Sequence, residues 1–191
     1  MTRVMPSRLN LGSYMQSTMA HPLHMRRGAA ENPEFYNPQG LPTIMGFVIP
    51  TWQRPLVWTE DQKVRFVESA WYGINLGTYT YQQQDYDKHP DGSYTPSPYN
   101  GYLIDGQQRM SALQDYFDDK LTVFGYKWSE VDVTDRRSFE MTSSFSCYIS
   151  RFQTEAEMIE MYERLSFGGT PHTEADRPSQ KGSKTFKPGV R

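Results

Sequence analysis

The stretch Gly101-Tyr102-Leu103-Ile104-Asp105-Gly106-Gln107-Gln108-Arg109-Met110 changes its period in the middle, and that change decides the fold. Its first four residues form a short apolar run of strand length. After Gly106 the apolar residues Met110, Leu113, Tyr116 and Phe117 recur at helical spacing, which predicts a helix over roughly 106–118. A strand that hands over directly to a helix leaves the first N–H groups of that helix without intrahelical partners. A carboxylate, a glycine, two amides and a guanidinium gather around those groups, which makes a natural seat for a phosphate. Taken alone, the five residues also admit a plainer reading, in which Asp105 caps the helix and Arg109 is a surface charge.

Working outward, Thr59 and Gln62 have the spacing of a capping box, and Val64, Val67, Ala70 and Trp71 mark the inner face of the helix that follows. Thr154 and Glu157 repeat that signature ahead of Met158, Met161, Tyr162 and Leu165, and Gly168-Gly169 is expected to stop this second helix. Strands are predicted at 44–49, ending at Pro50, and at 78–82 after a turn bracketed by Gly73 and Gly77. Further strands are expected at 121–126 and 145–149. Residues 85–100 have the prolines, glycines and small polar residues of a long hairpin-like loop, and Asp132 to Arg137 reads as a polar turn or short helix. Strands and helices alternate unevenly, so the expected class is α+β, a small mixed sheet with packed helices. Residues 1–40 show no sustained period and carry the turn signals Asn32-Pro33 and Asn37-Pro38; they are expected to be a flexible arm before a domain over 41–176.

With 191 residues the chain has room for one domain with a genuine core. Its apolar runs are a few residues long, far below the ~20 that span a bilayer, so no membrane partner is expected. No apolar run follows Arg3 and Arg8, which argues against secretion. The single cysteine, Cys147, excludes an internal disulfide and a cysteine metal cluster, and together these point to the cytoplasm. Charge is unevenly spread. Residues 41–176 hold 11 Lys or Arg against 20 Asp or Glu, whereas 177–191 hold five cations and no acid, so a nonspecific DNA contact is expected from this basic tail or a local patch.

Three segments together resemble the N-terminal domain family of GmrSD-type restriction endonucleases. They are Ile49-Pro50-x-x-Gln53-Arg54-x-x-x-Trp58, then Ile104-Asp105-Gly106-Gln107-Gln108-Arg109 with Ser111 and Leu113, then Tyr162-Glu163-Arg164-Leu165-Ser166-Phe167-Gly168-Gly169-Thr170-Pro171. Ser166 stands where the family usually has Asn, and His172 where an apolar residue is usual. The resemblance implies a fold like those of ParB and sulfiredoxin. It also implies nucleotide binding and hydrolysis coupled to restriction of DNA, with a nucleoside triphosphate and Mg²⁺ as cofactors.

Carried onto this chain, the resemblance makes Asp105, Gln107, Gln108 and Arg109 catalytic, and Gln53, Arg54, Gly106, Arg109 and Thr170 binding residues for nucleotide phosphate. Arg109 would hold a phosphate through its planar fork, Gln107 and Gln108 would orient an attacking water or the nucleotide, and Asp105 would bind Mg²⁺ or act as base. Arg54 would supply a second cation, or instead pair with Asp105. Trp52 and Trp58 would stack on a base, or Trp58 would be core. Sulfiredoxin chemistry is excluded, since it needs a cysteine beside the phosphate segment and Gln107 stands there; Cys147 reads as a core residue. No nuclease module accompanies the motifs, so cutting would rely on a separate nuclease subunit. Two other readings stay open: a non-catalytic, phage-encoded protein that binds and inhibits a host defence complex, and a standalone ParB-like nuclease.

Overall fold

A computed structural model describes residues 12–167. The stretch 101–110 does what its period requires. Strand β7 (Leu103–Asp105) ends at Gly106, and helix α4 (Gln107–Phe117) begins at the next residue. Neighbouring side chains of β7 face opposite ways: Leu103 enters the main core, and Tyr102 and Ile104 enter a smaller one with Met158, Met161 and Tyr162. β7 pairs antiparallel with β4 (Thr78–Gln82), which runs parallel to β8 (Ser146–Ser150), and β8 pairs antiparallel with β1 (Ser13–Met15). The result is a four-stranded mixed sheet, with helices on an α+β plan. β4 is central and buried on both faces. Tyr79 and Tyr81 join the main core, while Thr80 and Gln82 are buried on the other side, so polar residues at alternate positions do not mark a solvent face.

Helix α3 (Glu60–Trp71) starts at Thr59 with the expected capping box and packs on α4. Trp71 Nε1 donates to the Tyr116 hydroxyl at 3.2 Å, and Lys63 pairs with Asp115 at 2.6 Å. Beyond α5 (Val133–Thr142), α6 (Glu155–Phe167) packs on β7, and Thr154 and Glu157 bond reciprocally at its start. Met158, Met161 and Tyr162 are buried as the pattern requires, but Leu165, expected on the same face, is 45% exposed. Residues 85–100 form the hairpin β5 (Tyr86–Lys88) and β6 (Tyr94–Pro96).

Three expectations need correcting. Residues 13–36 are not a flexible arm. β1 is an edge strand of the main sheet, α1 (Ala20–Glu31) buries Met25, Met19 just ahead of it is fully buried, and α2 (Pro33–Tyr36) follows. Pro22 sits in the first turn of α1, where the missing N–H costs nothing, and Gly28 lets Tyr36 approach, since a Cβ there would lie 2.4 Å from its hydroxyl. Second, the expected strand over 44–49 is a tight hairpin, β2 (Thr43–Ile44) and β3 (Phe47–Val48). Met45 and Gly46 take positive φ at its turn, as a two-residue hairpin demands, and α1 packs directly over Gly46. Third, 121–126 is not a strand: Phe124 and Gly125 turn with positive φ, and only Val123 and Tyr126 bridge.

Candidate functional site

The handover from β7 to α4 lies at the floor of a cleft of about 100 Å³, lined among others by Gln53, Arg54, Asp105, Arg109, Tyr162 and Ser166. The loop between β3 and α3 forms one wall, and α6 forms another. Gln53 and Arg54 from the first sequence segment are therefore brought beside Asp105 to Arg109 from the second, with Tyr162 and Ser166 from the third. Thr170, Gly168 and Gly169, and the basic tail over 177–191, lie outside the described residues.

Gly106 is the N-cap of α4 at φ +104°, and no side chain caps this helix start. Its place admits no other residue easily. The backbone is left-handed, and a Cβ would sit 2.8 Å from Cβ of the buried Tyr79 beneath it. The partial positive charge of the helix start therefore borders the cleft, where the Asp105 carboxylate just ahead of it is already engaged by Arg109.

Asp105 pairs with Arg109, Oδ2 accepting from Nη2 at 2.7 Å across one helical turn, and not with Arg54. Arg109 is further tied down: Nη1 donates to the Leu76 carbonyl at 3.1 Å, and Cζ lies 5.6 Å from the centre of the Phe145 ring. This explains the Gly73 to Gly77 turn. A Cβ at Gly77 would stand 3.3 Å from Nη1, so the turn is shaped to receive the guanidinium. Arg54 is the opposite case. Its side chain is exposed, and among the described residues it forms no ion pair.

The two glutamines are buried, at 6% exposure for Gln107 and 5% for Gln108, and both face the loop backbone. Gln107 Nε2 donates to the Arg54 carbonyl at 2.7 Å. Gln108 Nε2 donates to the Pro55 carbonyl at 3.1 Å, while its Oε1 accepts from Val57 N–H at 3.0 Å and Trp58 N–H at 3.2 Å. Gln53 Nε2 donates to the Leu103 and Ile104 carbonyls, and its Oε1 is buried with no hydrogen-bond partner among the described residues. An unpaired buried acceptor carries a desolvation penalty until a donor reaches it.

Trp58 lines the cleft and also packs on Phe66, with ring centres 5.6 Å apart. Trp52 is drawn away from the cleft, its Nε1 donating to Glu155 Oε1 at 3.0 Å. The spacing of the motifs left two contributions unread. Tyr162 reads as an inner-face helix residue, yet its hydroxyl accepts from Arg54 N–H at 3.3 Å, and Phe145 underlies Arg109 from a distant strand edge. Only a tyrosine at the end of an otherwise methionine-rich helix face hinted at the first.

Among the described residues no three His, Cys, Asp or Glu side chains gather as a metal cage. Asp105 is the one carboxylate among the described residues lining the cleft, and one of its oxygens is engaged by Arg109. That donor set fits a Mg²⁺ that takes its other ligands from phosphate and water, and does not fit a metal held by protein alone. Cys147 is buried on β8, and burial pushes its thiol up to about 11, which suits a core residue and not a nucleophile.

A family model described as the N-terminal domain of the GmrSD restriction endonuclease matches residues 37–177. No curated protein and no solved structure matches the chain.

Proposed function

The chain belongs to the GmrSD restriction endonuclease N-terminal domain family, which ties it to restriction and phage defence, and from that premise we propose that its cleft binds and hydrolyses a nucleoside triphosphate. One observation carries this reading. An exposed arginine with no ion-pair partner among the described residues, Arg54, lines a cleft whose floor is a helix start without a side-chain cap, two features that favour an anion at the same point. The cleft is well below the ~300 Å³ of a pocket that encloses a whole small ligand, so it takes the terminal phosphate and leaves the nucleoside at the mouth.

The residues then divide as follows. Arg54 and the α4 N–H groups hold phosphate oxygens, which neutralises the charge that opposes attack on phosphorus. Asp105 offers its second oxygen to a Mg²⁺ that would be shared with the phosphates, or to the proton of an attacking water. A bound Mg²⁺ would supply further charge neutralisation there. DNA beside the cleft, and a nuclease on another chain, are the partners this activity would serve.

Phosphate release from ATP, GTP, CTP and UTP with Mg²⁺, with and without DNA, tests the reading. Release by the wild type that Asp105→Asn abolishes, with nucleotide affinity kept within a few-fold, is the expected result. No release from any triphosphate contradicts hydrolysis. A binding-only role draws support from one fact: both ends of the Gln108 amide and two nitrogens of the Arg109 guanidinium are engaged within the fold, leaving fewer groups for turnover. Triphosphate binding without release would select that role, as expected of a protein that occupies or blocks a defence complex.

A further inference from the structure

The loop from Arg54 to Trp58 has no regular structure, so its backbone N–H and C=O groups must find partners elsewhere. Five of them do so through three side chains. Tyr162 receives Arg54 N–H, Gln107 binds the Arg54 carbonyl, and Gln108 binds the Pro55 carbonyl together with Val57 and Trp58 N–H. A primary amide donates and accepts in one plane, and Gln108 uses both ends at once. Both glutamines rise from the first turn of α4, whose next turn is packed in the main core through Met110, Ala112 and Leu113. The peptide unit of Arg54 is thus held on its N–H side and on its carbonyl side, while the residue is exposed and its guanidinium forms no ion pair among the described residues.

We propose that Gln107 and Gln108 are positioning residues that act through this loop, fixing where the Arg54 guanidinium stands, and that Gln108 touches neither the ligand nor an attacking water. Both acceptor positions of Gln108 Oε1 are filled by loop N–H groups, so orienting a water through that oxygen would require releasing the loop. The role assigned to Arg54 rests on the phosphate reading of the cleft. The holding of the loop rests on the hydrogen bonds alone.

Two measurements on the full chain keep these parts separate. Amide hydrogen exchange followed by NMR without ligand reads the holding. Gln108→Met removes all three bonds, so exchange at Val57 and Trp58 should accelerate about tenfold or more. Gln108→Glu keeps the acceptor for both N–H groups and should give a smaller acceleration, which also serves if the methionine variant does not fold. Arg54→Ala should leave both amides unchanged. Unaltered exchange in Gln108→Met and Gln108→Glu overturns the holding.

Titration with inorganic tripolyphosphate reads the coupling. Arg54→Ala and Gln108→Met should each weaken binding about tenfold, and the double variant should be no more than about twofold weaker than Arg54→Ala, because Gln108 has no effect left once its client is gone. Losses that multiply to about a hundredfold would mean that Gln108 contacts the ligand, and would overturn the proposal. A wild type that binds no polyphosphate overturns the phosphate reading and with it the role of Arg54, while the exchange result still decides whether the glutamines hold the loop.

Discussion

Arg54 and Arg109 stand on the same cleft under opposite conditions. Arg109 has an acid, a backbone carbonyl and an aromatic ring as partners, so its charge is answered within the protein. Arg54 has its backbone fixed and, among the described residues, no acid to answer its charge. The difference teaches that membership of a motif does not tell which member does the binding. The first turn of α4 is the frame of the site, and the irregular loop held against it carries the group available to a ligand.

The sharpest way to break this comparison is to damage the frame. Gly106→Ala forces a Cβ into left-handed backbone and against Tyr79, a side chain that is fully buried and has nowhere to move. A loss of about 3 kcal/mol is expected, lowering Tm by roughly 10 °C. A variant that melts within 2 °C of wild type would mean that the turn at Gly106 relaxes freely and that the frame is not rigid.

A smaller effect separates the two arginines. Arg109→Ala strips Asp105 and the Leu76 carbonyl of a partner and uncovers Phe145, at a cost of about 1–2 kcal/mol. Arg54→Ala should change stability by less than about 0.5 kcal/mol, as for an exposed residue without partners. Urea unfolding of both variants checks this. Equal losses would remove the contrast.

A pH-dependent effect lies on the far side of Tyr79. His21 Nδ1 and the Tyr79 hydroxyl are 2.5 Å apart, and Tyr81 reaches Nε2 at 3.3 Å. Burial, aided by the neighbouring His24, pushes the His21 ring down to about 4. An unfolded chain takes up this proton near pH 6.5 and the folded one only near 4, so the contribution is full above pH 6.5 and is lost as pH falls towards 4. Tm should therefore fall as pH is lowered through that window, and less steeply in His21→Gln. Parallel pH profiles for the two proteins would place acid sensitivity elsewhere.

The parts legible in the sequence are those with local causes. Thr59 with Gln62 and Thr154 with Glu157 announce two helices because a capping box is made within four residues. The period change at Gly106 announces a third. What could not be read depends on distant partners. β1 is a strand because β8 offers it an edge, and α1 is a helix although Pro22, His24 and Gly28 interrupt any stripe, because Met19 and Met25 are buried against the sheet. The hairpin at Met45-Gly46 has a non-glycine residue at positive φ, held by its buried surroundings and by the Gln114 side chain, whose Oε1 accepts from Met45 N–H at 2.7 Å. In the site, residues of the three sequence segments meet at one cleft, but the contacts each of them makes there could not be read. Glutamines in a motif look like chemistry until the loop whose backbone they satisfy is in view.

Calorimetric titration of wild type and Arg54→Ala with the four nucleoside triphosphates in the presence of Mg²⁺ shows whether Arg54 holds a nucleotide phosphate. The wild type should bind at least one of them, and Arg54→Ala should lose about tenfold or more in affinity while unfolding at the same temperature, since a charge-assisted phosphate contact is removed from an intact frame. Absence of binding by the wild type, or equal affinity in the two proteins, would contradict it.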